Sequence, residues 1–318
     1  MPIGATIKGL PALASRPSAM CTALPIDGGR GNVARMRSPL PPVAWALTLA
    51  LSHAPGAAAQ TRDVILATTT STQDTGLLDS LVPRFERLCR CRVKTIAVGT
   101  GQALALGARG EADVVLVHAP SLEQRYVAEG KFVGRRLVMT NDFVVVGPSA
   151  DPAGIRQARQ VSDVIRRLAQ GRAPFASRAD SSGTNLLELK LWKEAGVEPK
   201  GPWYLQIGQG MGATLRVASQ KGAYALTDRG TYLALKQGLD LGILFEGAPE
   251  LLNIYHVMVP NSDSFPRVNA TGGAAFAAFI VAPETQQFIG RFGADRFGRP
   301  LFAPAAHRRE EDLLRRAA

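Results

Sequence analysis

From Val64 onward the chain repeats one order of elements: a short apolar run, a loop of hydroxyl and glycine residues, then an amphipathic stretch. Short β-branched runs read as buried strands and 3.6-residue periodicity reads as helix, so this order predicts an α/β protein with mostly parallel sheets. Strands are expected over 64–67, 93–98, 114–118, 137–139, 143–146, 174–176, 223–226 and 254–259. Helices are expected over 76–88, 102–108, 121–129, 161–170, 185–195, 212–220, 230–236, 272–280 and 283–291. No low-complexity linker interrupts this part, so two domains would have to be joined by crossing strands and not by a tether.

Residues 1–59 have a different character. They carry Lys8, Arg16, Arg30, Arg35 and Arg37 against the single acid Asp27, and no sustained periodicity. From Met36 a basic residue, an apolar run over 43–51 and the small residues Ala57, Ala58 and Ala59 follow in the layout of a secretory signal peptide. Met36 is the expected true start and Gln60 the first mature residue. The apolar run falls well short of the ~18 to 20 residues that a membrane span needs. Over 318 residues, 37 Lys and Arg against 26 Asp and Glu give a formal +11, which raises polyanions as partners. Setting aside the leader's five basic and one acidic residues leaves 32 against 25, or +7 on 259 residues. Of the three cysteines, Cys21 lies in the leader. Cys89 and Cys91 form a C-x-C pair that closes almost no loop and has no His nearby for a metal framework; a surface pair, of open redox state, is expected.

The chemistry sits immediately after the strands. Thr68-Thr-Thr-Ser-Thr72, Gly99-Thr-Gly-Gln102, Ser177-Arg-Ala-Asp-Ser-Ser-Gly-Thr-Asn185 and Thr227-Asp-Arg-Gly-Thr231 each place hydroxyls, glycine or both at a helix N-terminus. Any one of them alone reads first as an N-cap. Their recurrence after four strands points to a ligand site, because open α/β sheets bind ligands at strand carboxyl ends, where helix N-termini offer free N–H groups. Hydroxyls donate without adding charge, and the planar fork of Arg178 matches an oxyanion. Asp180 is better suited to hold that guanidinium than to meet a dianion.

These segments, with Ala112-Asp-Val-Val-Leu-Val-His-Ala-Pro120, Asn141-Asp-Phe-Val-Val-Val-Gly-Pro148 and Gly208-Gln-Gly-Met-Gly212, resemble the tungstate-binding periplasmic components of ABC transporters, in order from Asp63 to Pro260. The Thr-Thr-Thr-Ser run is that family's hallmark; the Arg-x-Asp-x-Ser-Gly-Thr pattern is shared with phosphate-binding relatives. The resemblance implies a type II periplasmic-binding-protein fold: two α/β lobes joined by two crossing strands, with the ligand in the cleft. Lobe one would be 60–141 plus 255–318 and lobe two 142–254, with hinges near Asn141-Asp142 and Asn253-Ile254. Ligand donors implied by position are Thr69, Thr70, Ser71, Thr100 and Gly101 from lobe one and Arg178, Ser182, Gly183 and Thr184 from lobe two. Asp180, Thr227 and His118 are second-rank candidates, and which hydroxyls of Thr68 to Thr72 donate stays open.

The function implied is a non-enzymatic, monomeric, periplasmic receptor that captures tungstate, with molybdate a second candidate, and delivers it to a permease. No cofactor and no metal other than the one inside the oxyanion is expected. A donor-only site suits a fully deprotonated dianion, whereas protonated phosphate would want an acceptor carboxylate. A phosphate or sulfate receptor of the same fold is the first alternative. The second is an exported hydrolase using Ser182 or Ser71, which lacks the G-x-S-x-G elbow. Gly208 to Gly212 fails the dinucleotide spacing. The tail from His307 to Arg316 mixes both signs and reads as a solvated helix, and no basic and aromatic interleaving marks a nucleic-acid partner.

Overall fold

In the computed structural model, which describes residues 63–317, the strands are β1 Val64–Thr69, β2 Val93–Val98, β3 Val114–Val117, β4 Phe132–Gly147, β5 Phe175–Ser177, β6 Tyr204–Gln206, β7 Ala225–Asp228, β8 Gly242–Phe245, β9 Leu252–Pro260 and β10 Ala303–Pro304. The signal-peptide reading, with Met36 and Gln60, falls outside the described residues.

The first sheet runs β2-β1-β3-β9-β4-β10. β1 is parallel to β2 and β3, while β9 is antiparallel to β3 and β4. Past Asp142, β4 continues into a second sheet, where it pairs antiparallel with β7 and β8. The parallel pair β5 and β6 adjoins β7 through a bridge from Phe175 to Tyr224. The result is two α/β lobes: β4 carries the chain from the first to the second, and the connection from β8 to β9 brings it back.

Two expectations are corrected here. The sheets are mixed and not mostly parallel, because β9 returns antiparallel between β3 and β4. The separate strands expected over 137–139 and 143–146 are one 16-residue strand. Thr140, Asn141 and Asp142 break the apolar pattern, yet they pair with Ile254, Asn253 and Leu252. Asn253 Nδ2 donates to Asn141 Oδ1 at 2.7 Å, so the polar side chains of the crossing satisfy each other.

Strand alternation builds four apolar clusters, one on each face of each sheet. In the first lobe Val64, Leu66, Val114, Leu116 and Val257 face one way, and Ala67, Val115, Val117 and Met258 the other. In the second lobe Phe143, Val145 and Leu226 oppose Val144, Val146 and Ala225. Burial on both faces explains why the strands read as continuous apolar runs and not as alternating ones.

The helix expected over 161–170 is observed as Val161–Gln170. Helices Thr100–Gly107 and Gly183–Glu194 start two residues earlier than expected, which draws Thr100, Gly183 and Thr184 into first turns. The Thr-rich run is not a plain loop: Thr69 ends β1 and its side chain caps the short helix Thr70–Asp74 at Thr72 N, 3.2 Å. Cys89 and Cys91 form a disulfide, and they are half-buried against the Leu77 and Phe85 core in place of the expected surface position. The tail helix Glu310–Ala317 is docked along one face, through Glu310 and Leu313, while Glu311, Leu314 and Arg315 stay exposed as expected. Arg135 donates to Glu310 at 2.8 Å, His256 Nε2 lies 3.3 Å from the same carboxylate, and Leu313 is buried. These partners lie 175 residues and more than 50 residues away in sequence, so local charge mixing could not reveal them.

Candidate functional site

Most of the loops singled out in the sequence close on one another between the lobes. Thr69, Ser71, Thr100, Arg178, Ser182 and Thr184 are all buried, Arg178 to 2% exposure. From the first lobe, Thr69 Oγ1 lies 3.1 Å from Ser71 Oγ and 2.7 Å from Thr72 Oγ1. From the second, Arg178 Nη2 donates to Thr70 Oγ1 at 3.2 Å. Gly183 N, at the start of its helix, donates to Thr100 Oγ1 at 3.1 Å. The backbones meet closely here, and at Gly183 they leave no room for a side chain. A Cβ on Gly183 would lie 2.8 Å from His118 O, and one on Gly99 would lie 3.3 Å from Asp180 O. A Cβ on Gly101 would lie 3.4 Å from Ser181 O, an ordinary contact.

Several of these residues also cap helices. Ser182 Oγ accepts from Asn185 N at 3.2 Å, which leaves its hydroxyl proton free to donate elsewhere. Asp180 Oδ2 accepts from Arg178 Nε and Nη2 at 3.1 and 2.5 Å, and Oδ1 accepts from Ser182 N at 3.1 Å. Both carboxylate oxygens are thereby engaged in holding Arg178 and the loop. The loop that holds it is strained: Ala179 and Ser181 have φ of 47° and 57°. Non-glycine residues in this region cost about 1–3 kcal/mol each and persist only where their surroundings over-determine them.

His118, at the end of β3, packs against Gly183 and lies 3.2 Å from Ser71 Oγ through Nε2. Burial, reinforced by the Arg178 charge, pushes its pKa down to about 3, so the ring is neutral. Its Nδ1 and Thr184 Oγ1 are fully buried without a hydrogen-bond partner among the described residues. Such orphaned groups in a native interior call for an explanation. Together the two lobes offer a guanidinium, several hydroxyls and two helix N-termini, with neutral His118 beside them. That composition can hold a small anion by hydrogen bonds.

Thr227 joins the set least: its hydroxyl donates to Asp228 O at 3.1 Å. Thr72, left open within the Thr68 to Thr72 run, and two residues of the Thr227 to Thr231 loop that were not ranked as candidates do more. Thr72 bonds Thr69, and Thr231 Oγ1 donates to Ser71 O across the lobes at 3.2 Å. Asp228 caps Thr231 N at 2.8 Å and accepts from Asn141 Nδ2 at 3.3 Å. The D-x-x-T spacing is a capping signal that could have found this last pair. Burial pushes the Asp228 carboxyl up from its ordinary range.

The family described as a PBP superfamily domain matches residues 54–284. Tungstate-binding protein TupA of Peptoclostridium acidaminophilum is 44% identical over 245 residues, covering 76% of this chain and 86% of that protein. Among solved structures, the tungstate ABC transporter structure from Geobacter sulfurreducens is 48% identical with a TM-score of 0.67, over 72% of this chain and 98% of that one. Tungstate-binding protein TupA from Desulfovibrio alaskensis G20 is 40% identical with a TM-score of 0.64, over 77% of this chain and 100% of that one.

Proposed function

Because the chain belongs to the PBP superfamily, in the family of its tungstate-binding relatives, we propose that it captures tungstate outside the cytoplasm and hands it to an ABC transporter permease. The observation that carries this reading is the meeting of buried donors from both lobes around Arg178. A ligand shifts an open and closed equilibrium only by differential contact, and donors split between two lobes engage it together only when the lobes close. Residues 60–141 plus 255–318 then act as one lobe and 142–254 as the other, hinged near Asn141-Asp142 and Asn253-Ile254. The chain works as a monomer, is exported by its N-terminal leader, and accepts molybdate as a second oxyanion.

Two features argue against the alternatives. Asp180 is turned toward Arg178 and Ser182, which use both of its oxygens to fix the loop, and this favours a ligand that brings no proton. Ser71 and His118 resemble a nucleophile and base, but a histidine with a pKa of about 3 takes no proton at neutral pH. Thr69, Thr70, Ser71, Thr100, Gly101, Arg178, Ser182, Gly183 and Thr184 form the proposed ligand shell, with neutral His118 beside it. The test is native mass spectrometry of the full chain with equimolar tungstate, molybdate, sulfate and phosphate. Tungstate adducts should dominate, and preferential loading of phosphate or of nothing would refute the reading.

A further inference from the structure

We propose that Glu188 is a positioning residue for the anion site, acting through Ser177 on the loop that presents Arg178; this rests on the oxyanion-receptor reading above. Glu188 lies in the second turn of helix Gly183–Glu194, whose first turn enters the site, and it is 2% exposed. An isolated carboxylate there would be a costly core residue, and this one is matched to donors. Glu188 Oε2 accepts from Ser177 Oγ at 2.8 Å, and Oε1 accepts from Tyr204 OH at 2.7 Å and Trp192 Nε1 at 3.2 Å. Ser177, Tyr204 and Trp192 thus each direct a proton at this one carboxyl, and none of those three protons lacks a partner.

The geometry ties this cluster to Arg178 through the chain itself. Ser177 directly precedes Arg178, and the loop it opens contains the left-handed residues Ala179 and Ser181. That conformation needs fixing at both ends. At the far end Asn185 Oδ1 accepts from Ser181 N at 3.1 Å. At the near end the side chain of Ser177 is fixed by Glu188, with Tyr204 OH 3.0 Å away. Glu188 and Asn185 project from one helix, so the same rigid element that brings Thr184 into the site also sets where the guanidinium stands. Preorganised charge of this kind keeps affinity high by removing the cost of ordering on binding.

The experiment is calorimetric titration of the full chain with sodium tungstate, for wild type, Glu188→Ala, Glu188→Gln, Ser177→Ala and the double variant Glu188→Ala/Ser177→Ala, alongside the melting temperature of each without tungstate. Glu188→Ala should weaken tungstate binding about 10-fold or more, and Ser177→Ala, which removes only one hydroxyl, by a comparable factor. The double variant should be no weaker than the poorer single one, because both act through one link. Glu188→Gln, which keeps the shape and can donate to Ser177 Oγ, should restore affinity to within about 3-fold. Wild-type affinity in Glu188→Ala or Ser177→Ala, even with a lowered melting temperature, would overturn the proposal, as would multiplicative losses in the double variant. Failure of the wild type to bind tungstate would instead overturn the receptor reading.

Discussion

Arg178 Nη2 lies 3.2 Å from Thr70 Oγ1, a guanidinium of the second lobe against a hydroxyl of the first. The same guanidinium is held from behind by Asp180. One side chain therefore makes a contact between the lobes and is also the charged donor of the proposed site, and substitution tests both roles.

Arg178→Ala should weaken tungstate binding by more than about 100-fold, since a buried charge-assisted hydrogen bond contributes roughly 1.5–3 kcal/mol and this guanidinium has several donors. Arg178→Lys should recover only part of it, because an ammonium cannot keep both Asp180 and an oxyanion in the planar fork. Calorimetry with sodium tungstate checks both.

Thr100→Val keeps the shape and deletes the acceptor for Gly183 N. A buried N–H left unmatched costs about 1–3 kcal/mol. That cost falls on the closed arrangement alone, so tungstate affinity should drop about 10-fold with little change in melting temperature. Small-angle scattering should show a more open average shape.

Gly183→Ala would put a methyl 2.8 Å from His118 O and 3.0 Å from His118 Nδ1. Either the helix or the imidazole must move. Tungstate binding should be lost or nearly so, and a variant with unchanged affinity would show that the lobes do not meet here when loaded.

His118 sets a pH dependence of stability. Its pKa is about 3 in the fold against 6.5 ordinarily, so between these values the unfolded chain holds a proton that the folded chain lacks. Stability from this residue is intact above pH 6.5 and falls as the pH drops toward 3, by about 2 kcal/mol at pH 5. In urea titrations at pH 7 and pH 5, His118→Gln should lose less stability than wild type.

At the docked tail, hydrogen bonds from His256 and Arg135 hold the Glu310 carboxyl down at about 2, and burial only partly opposes them. Burial acts against protonation of His256, but its bonds to Glu123 and Glu310 raise its pKa overall. The raised histidine stabilises fully below pH 6.5, and its contribution is lost as pH climbs through the folded value; the lowered carboxylate stabilises above pH 4.5 and fails toward pH 2. Glu310→Gln should cost about 2 kcal/mol, after allowance for a side chain 20% exposed. That corresponds to a fall of roughly 4–8 °C in melting temperature. The deficit should shrink at alkaline pH.

What the sequence made legible was local. Strand positions and the hydroxyl loops could be read because burial on both sheet faces leaves apolar runs, but the helix starts capped by Ser182 and Asp228 fall one or two residues earlier than expected. Non-local pairing hid the rest. Thr140 to Asp142 look like a break until β9 lies beside them, and Glu310 looks solvated until Arg135 and His256 face it. Thr231 closed one of the hydroxyl loops but was not ranked as a candidate, because its contact, Ser71 O, lies 160 residues earlier. Arg178 stood out only because it is the one cation among neutral donors within its loop.

The position of β9 between β3 and β4 also dictates an order of assembly. Strands β1, β2 and β3 emerge early in synthesis, but they cannot join β4 until residues 252–260 arrive to fill the gap. The elements between β4 and β9 have no such wait. Such distant pairings close slowly. On refolding, the join of β3 to β4 through β9 would therefore close late, after the elements between β4 and β9 have paired.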